Sequence, residues 1–181
     1  MECDQDGKTA FLIAAEKNSK ETMECLLLHG ADIYGKDRNG KTALHYTALN
    51  NNVETTNLLI SYGADIHAID NKGQTALHYA AKSRYIETAE ILILNGIDIN
   101  AKDYDGQTAF HIAAKNDNKE AIELLMLNGI DVNAKNNEGL TAYIVAKNAG
   151  CEELSEIIYT PALYNIAIRK NRKKKPTKCI I

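Results

Sequence analysis

The stretch GKTALHYTA at 40–48 recurs as GQTALHYAA at 73–81 and GQTAFHIAA at 106–114. Weaker copies, GKTAFLIAA and GLTAYIVAK, begin at Gly7 and Gly139, and each copy follows the last by 33 residues. With the register set on Asp4, Asp37, Asp70, Asp103 and Asn136, each unit opens on an Asx-x-x-Gly turn. In such a turn the Asx side chain bonds the backbone two residues on. Thr9, Thr42, Thr75, Thr108 and Thr141 then stand where a first short helix needs a cap. A second helix follows with apolar residues at i, i+3 and i+4, as in AIELLMLNG at 121–129, and stops at Gly30, Gly63, Gly96 or Gly129. Asn18, Asn51, Arg84, Asp117 and Gly150 fall between the two helices. Asn, Asp and Gly tolerate a left-handed turn and arginine does not, so mild strain is expected at Arg84.

One unit of this kind cannot bury its own apolar side, and helices this short are marginal in water alone. Stacked copies bury one another along a continuous core. The phrase recurs because each copy is the packing surface of the next. The small residues Ala10, Ala43, Ala76, Ala109 and Ala142 let neighbouring helices approach closely.

The 33-residue period, Thr-Ala-Leu-His at 42–45 and 75–78, and Gly-Ala-Asp-Ile or Gly-Ile-Asp-Ile-Asn after the second helix resemble the ankyrin repeat. The family's Pro after Thr is Ala in every unit here, a good helix former that serves in its place. The resemblance implies an all-α ankyrin-repeat solenoid of stacked helix-turn-helix units joined by short β-hairpin-like loops. The array is expected to run from 4 to 160, in units 4–36, 37–69, 70–102, 103–135 and 136–160. A capping turn is expected at 161–170 and a disordered basic tail at 171–181.

The formal net charge of −3 conceals a split. Arg169, Lys170, Arg172, Lys173, Lys174, Lys175 and Lys178 lie in the last 21 residues with no acid among them. Setting those seven charges aside leaves −10 on residues 1–160, against −3 for the whole chain. The N-terminus is acidic and lacks the order of a secretory signal, no apolar run is long enough to span a membrane, and the cysteines show no paired spacing. A cytoplasmic protein is therefore expected, shared with the nucleus if the basic tail is an address. Cys25, in an apolar helix, reads as a small buried hydrophobe. The final KCII has its cysteine third from the end, where a prenylation signal needs it fourth, so no lipid is expected.

No phosphate-binding glycine loop, nucleophile elbow or paired metal-ligand motif is present, so no catalysis and no cofactor are expected. His45, His78 and His111 form a row, but equivalent helices of a stack stand about 8–10 Å apart, whereas zinc ligands must meet at about 2 Å. Each His is instead expected to bond backbone within its own loop, as the resemblance implies.

What remains is a surface. In ankyrin arrays the hairpin tips and first helices line a concave face that binds proteins. The variable positions there carry ten Lys or Arg against four Asp or Glu, an excess of +6 that falls to +2 once the four register aspartates are counted. The second helices carry ten glutamates from Glu21 to Glu156 against Lys20 and Lys119. Leu49 and Ile69 break the polar habit of their positions, and Tyr46, Tyr79 and Tyr104 lie nearby in the stack. Aromatic residues and arginine are favoured at interface centres. The candidate contact set is Arg38, Lys41, Tyr46, Leu49, Ile69, Lys72, Tyr79, Lys82, Lys102, Tyr104 and Lys115. The alternative for Leu49 and Tyr46 is that they extend the core. The expected partner is a protein, acidic in character, bound by a monomeric array. Rival readings have the tail contacting nucleic acid or an anionic membrane.

Overall fold

The computed structural model describes residues 3–159. The capping turn expected at 161–170 and the tail at 171–181 lie outside the described residues. Within that span ten helices follow one another in pairs. They are α1 (Ala10–Glu16) with α2 (Lys20–Leu28), α3 (Ala43–Leu49) with α4 (Val53–Ser61), α5 (Ala76–Ala80) with α6 (Glu87–Leu94), α7 (Ala109–Lys115) with α8 (Lys119–Leu127), and α9 (Ala142–Asn148) with α10 (Glu152–Tyr159). Each first helix packs on the next, α1 on α3, α3 on α5, α5 on α7 and α7 on α9. Among the described residues β pairing is confined to two isolated bridges, Cys3–Thr9 and Lys135–Thr141. The architecture is an all-α repeat solenoid.

Local chemistry sets the helix starts. Thr9 accepts the N–H of Leu12 at 3.3 Å, as an N-cap should. At Thr42, Thr75 and Thr108 the histidine three residues on reaches back. Nδ1 of His45, His78 and His111 accepts the threonine N–H at 3.0, 3.1 and 3.3 Å. The turns are held as their composition requires. Asp37 Oδ1 accepts the N–H groups of Asn39 and Lys41 at 2.9 and 2.8 Å, and Asp70, Asp103 and Asn136 repeat the arrangement.

The first helices of the three middle pairs, α3, α5 and α7, are almost wholly interior, whereas α9 buries only Ala142 and Ala146. Phe11, Leu44, Leu77 and Phe110 recur at one position and all are buried, and the second helices add Leu59, Leu92 and Leu125. Each such side chain contributes about 1.5–3 kcal/mol by leaving water. Ala43, Ala76, Ala109 and Ala142 are buried where pairs meet, while Ala10, with no described pair on its outer side, is exposed.

Two expectations fail here. Arg84 takes no left-handed turn. Asn18, Asn51 and Asp117 do, with φ of 55, 53 and 52°. α5 instead ends at Ala80, and the N–H groups of Lys82 and Ser83 bond back to the carbonyls of Tyr79 and Ala80. The chain unwinds the last turn of α5 and avoids placing a bulky residue at positive φ. Asn118 on the next pair ties down this irregular loop through the carbonyls of Ala81 and Ser83. Cys25, expected inside, is exposed. α2 turns Met23 fully inward, and a residue two positions along a helix lies about 200° round it.

Candidate protein-binding face

The turn of one unit and the first helix of the next meet in a row of alternating lysines and tyrosines. Tyr46 on α3 donates its hydroxyl to Asp37 Oδ2, and Tyr79 on α5 donates to Asp70 Oδ2, both at 2.7 Å. Each carboxylate thus braces a turn with one oxygen and a phenol with the other. Burial, and then the hydrogen bond to a carboxylate, drives both phenol pKa values well above normal. Burial works against the Asp70 carboxylate, but the Tyr79 hydroxyl and the N–H groups of Gln74 and Lys72 outweigh it and hold its pKa below the ordinary value. α7 has Ile112 at the tyrosine position, and Asp103 Oδ2 accepts Gln74 Nε2 instead, at 3.0 Å.

Lysine ammoniums cover the two rings. Lys8 Nζ lies 4.7 Å from the Tyr46 centroid, and Lys41 Nζ lies 5.7 Å from Tyr46 and 5.1 Å from Tyr79. Lys82 Nζ lies 4.4 Å from Tyr79. These are cation–π distances, each worth about 0.5–1 kcal/mol at an exposed site. Lys8 also pairs with Glu16 at 3.0 Å, and Lys82 donates to Gln74 Oε1 at 3.0 Å.

The histidine row links units as well as capping them. Nε2 of His45, His78 and His111 donates to the carbonyls of Gln74, Gln107 and Leu140 at 2.9, 3.0 and 3.1 Å. The expectation that each His bonds backbone within its own loop holds for one nitrogen, and the other nitrogen adds a bond to the next unit. Burial lowers all three imidazole pKa values below 6.5, so the rings are held neutral. Among the described residues no group of His, Cys, Asp and Glu has a metal-holding arrangement.

The candidate residues separate into two sets. Lys41, Tyr46, Tyr79 and Lys82 come together in the row just described. Tyr46 and Tyr79 are only 5% and 6% exposed. They lie beneath the surface because a ring whose hydroxyl is bonded to a buried carboxylate packs as core. What they present outward is the lysines stacked on them. Leu49 and Ile69 are exposed at 37% and 39%, and Lys72 and Lys115 are exposed.

Arg38, Lys102 and Tyr104 are also exposed, but stand at the turn tips and join units. Arg38 donates to the Gln5 carbonyl, Lys102 to that of Lys135 at 2.9 Å, and the Tyr104 N–H to that of Lys72 at 3.0 Å. Lys8 and Gln74, outside the candidate set, belong to the row. Their signal was an eight-residue spacing inside each unit: Lys8 with Glu16, Lys41 with Leu49, Gln74 with Lys82, Gln107 with Lys115.

No described helix is long and apolar enough to cross a membrane. Two family models of ankyrin repeats match the chain, one describing three copies over residues 11–103 and one describing many copies over residues 92–146. A comparison with curated proteins returns no match. The first match alone takes in more than half of the chain, and together the two run from α1 to within α9. Helix pairs, capping histidines and sequence profile agree, and the chain belongs to the ankyrin-repeat family.

Proposed function

We propose that this protein is a non-catalytic adaptor that binds a partner protein through the face made by its turns and first helices, the concave side of an ankyrin array. Ankyrin repeats are generally protein–protein interaction modules, and proteins built from them are typically not catalysts. One observation carries the assignment of this face. Where other units link polar side chains across the surface, Leu49 and Ile69 leave exposed aliphatic ones. Lys36 and Lys102 each reach a carbonyl 33 residues on, at 2.9 Å, and Glu16 pairs with Lys8. Ile69 replaces the first kind of link and Leu49 the second. A partner that covers these two side chains recovers the apolar burial the array leaves unused. The basic side chains around them favour an acidic partner in the cytoplasm.

The test is Leu49→Asp with Ile69→Asp. Neither side chain is core, so circular dichroism should report an unchanged fold while capture of the partner by the full chain is lost. Undiminished capture by the folded double variant refutes the assignment. Capture that instead follows residues 161–181, and falls steeply with salt, marks the tail as the contact.

A further inference from the structure

We propose that Lys41 and Lys82, flanking the Tyr79 ring, form a seat for a carboxylate from an acidic segment of the partner protein, with Leu49 beside it receiving an apolar neighbour. This rests on the reading of that face as the binding face and names the chemistry it recognises.

The protein contains its own template for the site. In the first unit the residues at the turn and eight positions later are Lys8 and Glu16, and they pair at 3.0 Å with Lys8 over the Tyr46 ring. In the second unit the same two positions are Lys41 and Leu49, and Lys41 lies over the next ring, Tyr79. The cation and its aromatic platform are kept while the acid is replaced by leucine. Among the described residues Lys41 has no carboxylate in ion-pair range. In the third unit the pair is Gln74 and Lys82, so an amide stands at the lysine's position and a second cation at the acid's. Two ammoniums thus stand 5.1 and 4.4 Å from one ring centroid, and among the described residues neither has a carboxylate in ion-pair range.

The nearby acids are already committed. Asp70 accepts the Tyr79 hydroxyl and the N–H groups of Lys72 and Gln74, and Asp37 is used in the same way. Asp103 accepts Gln74 Nε2, which turns Gln74 Oε1 toward Lys82 and fixes that ammonium at 3.0 Å. The seat is therefore pre-positioned by a hydrogen-bonded chain that runs from the buried Asp103 through Gln74 to Lys82, the arrangement that makes a recognition site cost little to organise. Partial burial of the ammonium, then repulsion from Lys41 and Lys72, lowers the Lys82 pKa, with Asp70 and Asp103 opposing. The repulsion between the two ammoniums is what an incoming carboxylate offsets.

A carboxylate fits better than other anions on two counts. The pair it would complete is the Lys–Glu pair already present in the first unit. The adjacent Leu49, 37% exposed, asks for a neighbour that is apolar, which a polypeptide supplies within one or two residues. The Lys41 stem is flexible enough to bring its ammonium onto a group already held at Lys82.

The test uses the full chain, with side-chain ammonium signals of the lysines followed by NMR. The probe is a terminally blocked hexapeptide of alternating leucine and glutamate. Counterparts carry glutamine or phosphoserine in place of glutamate, and phosphatidylserine vesicles serve as an anionic surface. The glutamate peptide should shift Lys41 and Lys82 in a saturable way, and the glutamine peptide should not. Lys41→Gln and Lys82→Gln should each weaken binding by up to about fivefold, the loss expected for one solvent-exposed charge pair, while Lys135→Gln leaves it unchanged. Leu49→Glu should weaken it at least as much, because the new carboxylate recreates the first unit's pair and fills the seat from within.

Equal shifts at all lysines, or binding indifferent to these substitutions, overturn the proposal. So does tighter binding of the phosphoserine peptide or the vesicles through the same two lysines. If Leu49→Asp with Ile69→Asp abolishes capture of the partner while Lys41→Gln with Lys82→Gln does not, the binding face stands and the carboxylate seat falls.

Discussion

Replacing Gly106 by alanine separates what the repeat spends on backbone conformation from what it gains by joining one turn to the next. Gly96, at the end of α6, has φ of +85°, and a Cβ added there meets nothing within 4 Å. Gly96→Ala therefore costs the left-handed backbone alone, about 1–2 kcal/mol. Gly106 has a similar φ of +73°, but its added Cβ lies 2.8 Å from the backbone nitrogen of Asn137 in the following turn. The Asn137 N–H donates to Asp105 at 3.0 Å and its side-chain amide to Tyr104 at 2.9 Å. Pushing that tip away weakens both bonds, each worth about 0.5–1.5 kcal/mol. Gly106→Ala should then cost about 2–5 kcal/mol, from the backbone term and the two bonds. Urea unfolding followed by far-UV circular dichroism measures both variants against the parent. In a thermal scan each kcal/mol should lower the midpoint by about 2–4 °C. Equal losses for the two variants would show that the turn tips hold no stability in common, and would refute the account of how the units are joined.

Leu92→Ala and Leu125→Ala each empty a fully buried position and should cost about 2–5 kcal/mol, read as a lowered thermal midpoint; no loss in either places the core elsewhere. Tyr79→Phe leaves Asp70 Oδ2 buried without its hydroxyl partner and should cost about 1–3 kcal/mol in urea unfolding, whereas a neutral result shows that solvent reaches the carboxylate. His45, His78 and His111 have folded-state pKa values below the 6.5 of the unfolded chain, so the unfolded state binds more protons once the pH drops below that value. Their contribution should be complete above about pH 6.5 and decline as the pH falls toward the folded-state values. Urea midpoints across that range should show the decline, His78→Gln should lessen it, and a flat profile in the parent refutes buried neutral rings.

The sequence determined the period, the helix pairs and the family without help, because those features are written in short-range patterns. Caps sit one residue before their helices, apolar positions recur at i, i+3 and i+4, and Asx-x-x-Gly marks each turn. The expected left-handed positions hold at Asn18, Asn51 and Asp117 for the same reason. Arg84 and Cys25 were misread because their surroundings are not local. A five-residue α5 and an asparagine from the next pair settle the first, and the rotation of α2 about Met23 settles the second.

The tertiary structure alone decided which polar residues are structural. Tyr46 and Tyr79 occupy positions that read as surface until a carboxylate nine residues earlier is seen to accept their hydroxyls in the interior. The histidines look like loop residues until their second nitrogen finds a carbonyl 29 residues on. The charge that matters for recognition is not the sum over a face but the remainder after internal pairing, with Lys8 cancelled by Glu16 while the unit of Lys41 carries Leu49 at the acid's position. Pairing depends on distance across neighbouring units, and linear spacing carries that information only once the stack has brought residues of different copies side by side.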